Sequence, residues 1–201
     1  MKYPTFEDAK IIKGVEKDLS GVFLFTDLQI LLDSANPVTL NERIKRLERA
    51  DLLKRFKRGT YIAPNFSAEV LSAKIEPSAY ISMATILSQH GLIGVVPERR
   101  ITAVKIGRNR RYISEDLVIE HLGIAPHLYF GYDQTEGVRY ANREKAYLDT
   151  LYYFMRGRRF AFNPLADIDV SDLDSDRLNH YLKEYRNKRF VTFCERSLNA
   201  E

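Results

Sequence analysis

The stretch that most constrains this chain runs from Val38 to Ala63, where a narrow apolar stripe and a dense run of cations share one short segment. Leu40, Ile44 and Leu47 recur at helical spacing, so they occupy a single arc of a helix predicted over Thr39 to Ala50. Outside that arc stand Glu42, Lys45, Arg46 and Arg49, with Asn41 and Arg43 at its margins. Such a helix must lay its thin apolar edge on a small core and turn a mostly cationic face to solvent. Thr39 followed by Glu42 has the spacing of a capping box, and Asn36-Pro37 offers an earlier start. Leu52 to Phe56 and Thr60 to Ala63 then read as two strands, joined by Lys57-Arg58-Gly59, whose glycine suits a tight turn.

The residues before this stretch complete a compact unit. Thr5 is placed to cap a first helix reaching about Asp18, with Phe6, Ala9, Ile12, Val15 and Leu19 on one face. Gly21 ends that pattern, and Val22 to Phe25 reads as a buried strand. Thr26 and Gln29 form a capping-box pair for a second helix with Leu28, Leu31 and Leu32 on its buried side, closed by a turn at Ser34 to Pro37. Helix, strand, helix, turn, basic helix and basic hairpin is the order of a winged helix-turn-helix. The expected organisation is therefore α+β: a winged helix-turn-helix over residues 1–64, a boundary at Pro64-Asn65, and a mixed α/β domain with a terminal helix over residues 65–201.

Charge distribution says more than the net +4. From Val38 to Arg58 eight cations face three anions, whereas five aspartates between Asp167 and Asp176 face no cation. Different parts of the chain therefore suit different partners. Double-stranded DNA asks for a helix that fits the major groove, cations to replace phosphate counterions, and polar groups near base edges. The predicted third helix offers Thr39, Asn41, Glu42, Arg43, Lys45, Arg46 and Arg49; Asn41 could pair with adenine and Glu42 could accept from cytosine. Arg55, Lys57 and Arg58 on the hairpin would follow the phosphate backbone or enter the minor groove. The plainer reading of such a helix in isolation is a solvated cationic face; its place before a basic hairpin favours DNA.

Beyond the boundary, a short helix from Ala68 to Lys74 leads to Tyr80-Ile81, and Ser82 is read as the cap of a helix ending at Gly91. Strands are expected at Ile101 to Ile106, Tyr112-Ile113, Leu117 to Leu122 and Leu128 to Tyr132, with a turn at Arg108-Asn109. Asn142 should cap a helix with Tyr147, Leu148, Leu151, Tyr152 and Met155 on one face, and a last helix should span Ser175 to Asn187. Arg99, Arg100, Lys105, Arg108, Arg110 and Arg111 form a second basic cluster around a predicted hairpin, suited to nucleic acid, an acidic partner, or simply a solvated rim.

Signatures of catalysis are weak. His90, His121, His127 and His180 lack metal-ligand spacing, and no Walker A loop, dinucleotide fingerprint or nucleophile elbow is present. Asp172, Asp174 and Asp176 imitate the start of a calcium loop, but Arg177 takes the glycine position and Lys183 the closing glutamate position. Asp116, Glu120, Glu144 and Lys145 could be assembled into a nuclease-like metal site, which makes a metal-dependent nuclease one alternative; a winged-helix protein-docking adaptor is the other. No catalytic residue, cofactor or metal is expected. A single cysteine, Cys194, excludes an internal disulfide, and the absence of a long apolar run fits a cytoplasmic protein that does not cross a membrane.

Tyr80-Ile81-Ser82, His90-Gly91-Leu92 and the Arg-Glu-Lys-Ala-Tyr-Leu-Asp run from Arg143 to Asp149 resemble, in order and spacing, the AbiEi-like antitoxin family of abortive-infection type IV toxin-antitoxin systems. The resemblance spans about residues 20 to 157. It implies an N-terminal winged helix, a transcriptional repressor of its own operon acting at inverted repeats, and a C-terminal domain that counters a nucleotidyltransferase-like toxin without needing a stable complex with it. Ala146, Leu148 and Leu151 read as packing residues, and Glu144-Lys145 as structural rather than catalytic. Neither the operator nor the oligomeric state is legible, since two monomers or a dimer can occupy an inverted repeat.

Overall fold

The computed structural model describes residues 4–94, 99–114 and 117–198, and the chain divides after Ile75 into two compact units. The division falls eleven residues beyond the boundary expected after Pro64. The cause lies in the helix α4 (Ala68–Ile75), which belongs to the first unit. Leu71 is buried there, and the Lys74 ammonium donates to the Val22 carbonyl at 2.7 Å and the Asp27 carboxylate at 3.2 Å.

In this first unit α1 (Pro4–Val15) precedes β1 (Val22–Leu24), α2 (Phe25–Leu31), α3 (Pro37–Arg49), β2 (Lys54–Lys57) and β3 (Thr60–Ile62). The three strands form an antiparallel sheet in the order β1-β3-β2. Its core gathers Ile12, Phe23, Leu28, Leu32, Leu40, Ile44, Leu47, Leu53 and Tyr61, so the stripes expected of the second and third helices pack together. The first stripe is only partly buried: Phe6 is 70% exposed, while Asp8, two residues on, is 2% exposed and turns inward with Ile12. Thr5 lies inside α1 instead of preceding it. Phe25 opens α2 instead of closing a strand, and Asp27, not the Thr26-Gln29 pair, caps that helix by accepting from the Leu24 amide at 2.9 Å. Gly59 has φ of +77°, which a side-chain-bearing residue adopts only with strain, and its carbonyl accepts from the Phe25 amide at 2.9 Å.

The second unit is built on a six-stranded mixed sheet. Its strands are β4 (Tyr80–Ile81), β5 (Arg100–Ile106), β6 (Arg110–Ser114), β7 (Leu117–Ile124), β8 (Tyr132–Thr135) and β9 (Val138–Ala141), in the spatial order β6-β7-β5-β4-β9-β8. β5 pairs with β7 in parallel, and β4 with β9 in parallel; the other neighbours are antiparallel. The hairpin expected between Ile101–Ile106 and Tyr112-Ile113 does not form. β7, with Leu117, Ile119, Leu122 and Ile124 all buried, takes the place beside β5 and leaves β6 on the edge. A strand with four buried aliphatic residues gains more from a central position than the arginine-rich β6 does. Gly123 permits the approach, since a Cβ there would lie 1.9 Å from the Gly107 carbonyl oxygen.

Among the described residues, four helices complete this unit: α5 (Ala84–Gln89), α6 (Arg143–Met155), α7 (Ser175–Leu182) and α8 (Lys188–Leu198). α6 contacts each of the other three and is buried nearly all round, from Glu144 to Leu151. Asn142 caps it, accepting from the Lys145 amide at 2.9 Å. The last helix expected over Ser175 to Asn187 ends at Leu182, and a further helix, α8, follows it; Asn187, just before α8, accepts from the Arg189 amide at 3.0 Å. A 3-10 turn at Pro126–Leu128 and the short strands β8 and β9 replace the strand expected at Leu128 to Tyr132. The molecule is thus α+β, as expected.

Candidate nucleic-acid interface

α3 begins at Pro37, with Asn36 as its cap: the side-chain oxygen of Asn36 accepts from the Val38 amide at 2.8 Å, and proline fills the first helical position, where no amide hydrogen is needed. Thr39 and Glu42 therefore do not form the expected capping box. Thr39 sits exposed in the first turn, and Glu42 stands one turn further along the exposed face. With Leu40, Ile44 and Leu47 buried, Glu42, Lys45, Arg46 and Arg49 project together and line one shallow concavity of about 300 Å³. Three cations and one carboxylate on a single helical face can meet phosphates and base edges at once.

Two expected contacts are committed elsewhere. Arg43 turns inward, where its guanidinium holds the buried Asp8 carboxylate with two hydrogen bonds of 3.0 and 2.5 Å and donates to the Leu32 carbonyl at 2.5 Å. The Asp8 hydrogen bond, the largest influence, raises the Arg43 pKa. That residue ties α1 to α3 through a structural ion pair. The Asn41 amide group donates back to the Pro37 carbonyl at 2.8 Å while remaining exposed. On the hairpin, Arg55 and Arg58 are exposed and Lys57 is half-buried; the strand register shifts between Arg55 and Lys57. Burial chiefly raises the Tyr61 pKa, with Arg55 opposing.

The second basic cluster is dispersed by the sheet. Arg100 and Lys105 lie on β5, whereas Arg110 and Arg111 lie on the edge strand β6. Glu120 gathers Arg100, Arg111 and Arg158 at 3.5, 3.5 and 2.6 Å, and Lys105 pairs with Glu76 at 2.7 Å. The Lys105 hydrogen bond is the main reason that Glu76 titrates below the ordinary glutamate range. Arg99, Arg108 and Arg110 are exposed. This cluster is therefore partly neutralised and split between an inner and an edge strand.

Two of the three short motifs of the second unit, Tyr80-Ile81-Ser82 and the run from Arg143 to Asp149, converge on one buried knot. Tyr80 and Ser82 donate to the same Asp149 oxygen at 3.0 and 2.8 Å, and Lys145 pairs with the other oxygen. Ser82, Lys145 and Asp149 have no exposure at all, and the Lys145 ammonium stands 4.8 Å from the centre of the Phe130 ring. Ser82 serves this knot and does not cap α5, whose N-cap is Met83. Burial lowers the Lys145 pKa against the opposing pull of Asp149, and burial raises that of Tyr80. Glu144, also buried, accepts from the Asp174 amide at 3.1 Å and from Arg177 at 3.2 Å. Of the residues weighed for a metal site, Glu120 is thus surrounded by arginines, Glu144 and Lys145 are internal pairs, and Asp116 lies outside the described residues. No group of three or more His, Cys, Asp or Glu able to hold a metal stands among the described residues. The knot is not legible as a unit in the sequence, because Ser82 and Asp149 are 67 residues apart; only the four-residue spacing of Lys145 and Asp149 signals a helical pair.

No family model matches the chain, and no curated protein matches it. Among solved structures, it is similar to the RV2827C protein of Mycobacterium tuberculosis, with a TM-score of 0.60 and 14% identity over 90% of this chain and 72% of that one. At that identity the likeness concerns the fold. Among the described residues, no helix is long and apolar enough to cross a membrane.

Proposed function

We propose that residues 1–75 form a winged helix that binds double-stranded DNA sequence-specifically, with α3 as the recognition helix and the β2–β3 hairpin as the wing. The observation that carries this reading is the outward face of α3, where Glu42, Lys45, Arg46 and Arg49 stand together while Leu40, Ile44 and Leu47 are buried. Lys45, Arg46 and Arg49 supply phosphate and guanine donors, Glu42 accepts from cytosine, and Arg55, Lys57 and Arg58 follow the backbone. Thr39 and Asn41 lie at the helix end that enters the groove; Arg43 is excluded by its pairing with Asp8. The protein acts in the cytoplasm as a repressor of its own operon. On the strength of the three motifs, it also serves as an antitoxin against a nucleotidyltransferase-like toxin.

The test is a titration of the full chain against duplex DNA from upstream of its own reading frame, with a scrambled duplex as control, across a range of salt. Changing Arg46 and Arg49 together to alanine weakens binding and lowers the slope of log K against log salt by about 2, roughly one per lost cation. Unchanged affinity in that variant rejects the reading. Co-expression with a neighbouring nucleotidyltransferase-like reading frame tests the antitoxin role, and failure to relieve its toxicity rejects that part alone.

A further inference from the structure

Within the second unit, the end of α6, the 3-10 turn at Pro126–Leu128 and the α7–α8 junction enclose a cavity of about 250 Å³. Its walls are Leu128, Tyr152, Tyr185 and Phe190. The aromatic rings brace one another: Tyr185 and Phe190 lie 4.6 Å apart, and Tyr152 and Phe190 meet edge-on at 5.8 Å. Leu128, Tyr185 and Phe190 are nearly fully buried, so this floor is rigid, while Met155 at the mouth is 42% exposed. The space equals that of about eight liquid waters, enough for one or two fused rings and a short arm.

The rim has one sign of charge. Arg156 stands over the Tyr152 ring, 4.9 Å from its centre, and donates to the Tyr152 hydroxyl at 2.9 Å; Arg186 is exposed near the end of the α7–α8 junction. Neither guanidinium has a carboxylate partner among the described residues, in contrast to the paired arginines around Glu120. An aromatic floor with two uncompensated arginines at its mouth complements a flat ring that carries an anion. We propose that this cavity is a binding site for a small aromatic carboxylate, its ring held among Tyr152, Tyr185 and Phe190 and its carboxylate by Arg156 and Arg186. The site stands independently of the DNA reading.

Indolepropionate, phenylpropionate and naphthoate are suitable probes for the full chain, each compared with its neutral amide. Because the chain contains no tryptophan, indole emission excited beyond tyrosine absorption reports binding without background. At least one acid binds saturably, and its amide binds about tenfold more weakly. The Arg156→Ala, Arg186→Ala double variant loses a similar factor for the acid and little for the amide, and Met155→Glu, which sets a like charge at the mouth, abolishes acid binding. The acid-amide comparison on the unaltered chain needs no variant to fold. Failure of all three acids to saturate, equal binding of acid and amide, or full retention of acid binding in the double variant overturns the proposal.

Discussion

Arg43 illustrates how little a residue type says about its use. In the sequence it is one of eight cations in a basic stretch, yet it is the one that folds back onto Asp8, a carboxylate with 2% exposure. A buried carboxylate costs several kcal/mol unless it is paired, and the two-pronged guanidinium geometry satisfies both of its oxygens. Changing Asp8 to Asn keeps the shape and removes the charge, leaving the guanidinium against an amide hydrogen. The expected cost is about 2 kcal/mol of stability, read from urea denaturation. Arg46→Ala, at an exposed position that makes no such pair, should change stability by less than about 0.5 kcal/mol while weakening DNA binding. Equal destabilisation by the two variants would contradict the division of roles.

At the scale of the element, the start of α3 decides which residues are free to touch a ligand. A helix beginning at Thr39 would spend the Glu42 carboxylate on its own backbone. With Asn36 as cap and Pro37 in the first position, the cap lies three residues before Thr39 and Glu42 is released to the outer face. Asn36→Ala should therefore destabilise the first unit by about 1 kcal/mol, whereas Thr39→Ala, exposed in the first turn, should be close to neutral in the same thermal melt. The reverse ranking would restore the capping box. α6 makes a similar point in the second unit. Its polar residues Glu144, Lys145, Asp149 and Thr150 are as buried as its leucines, so its character comes from the partners that satisfy them and not from an amphipathic pattern.

For the whole molecule, the position of the division matters because it sets what can fold alone. α4 lies beyond the hairpin in sequence but buries Leu71 in the first unit and anchors Lys74 on β1 and α2. A fragment of residues 1–75 should melt in one cooperative step, and a fragment of residues 1–64 should melt several degrees lower, since loss of a buried leucine and a satisfied lysine removes on the order of 2–3 kcal/mol from a small domain. Equal melting temperatures would place α4 outside the first unit. The second unit depends on long-range pairing, with β5 beside β7 and β4 beside β9, and its buried knot joins β4 to α6. A sheet ordered in this way forms only after distant segments meet.

What the sequence determined by itself was local: the helix with Leu40, Ile44 and Leu47 inside, the turn at Gly59, the Asn142 cap and the cationic outer face of α3. Helical period, caps and glycine turns act within a few residues, so they can be read one segment at a time. What only the tertiary structure decided was partnership across the chain. Whether Arg43 met a phosphate or Asp8, whether β6 paired with β5 or β7, whether Ser82 capped a helix or served Asp149, and whether α4 joined the first unit or the second all depended on residues that folding brought within hydrogen-bonding reach. A buried charge or an apolar strand takes the partner that removes it from water most completely, and that partner is chosen in space rather than along the chain.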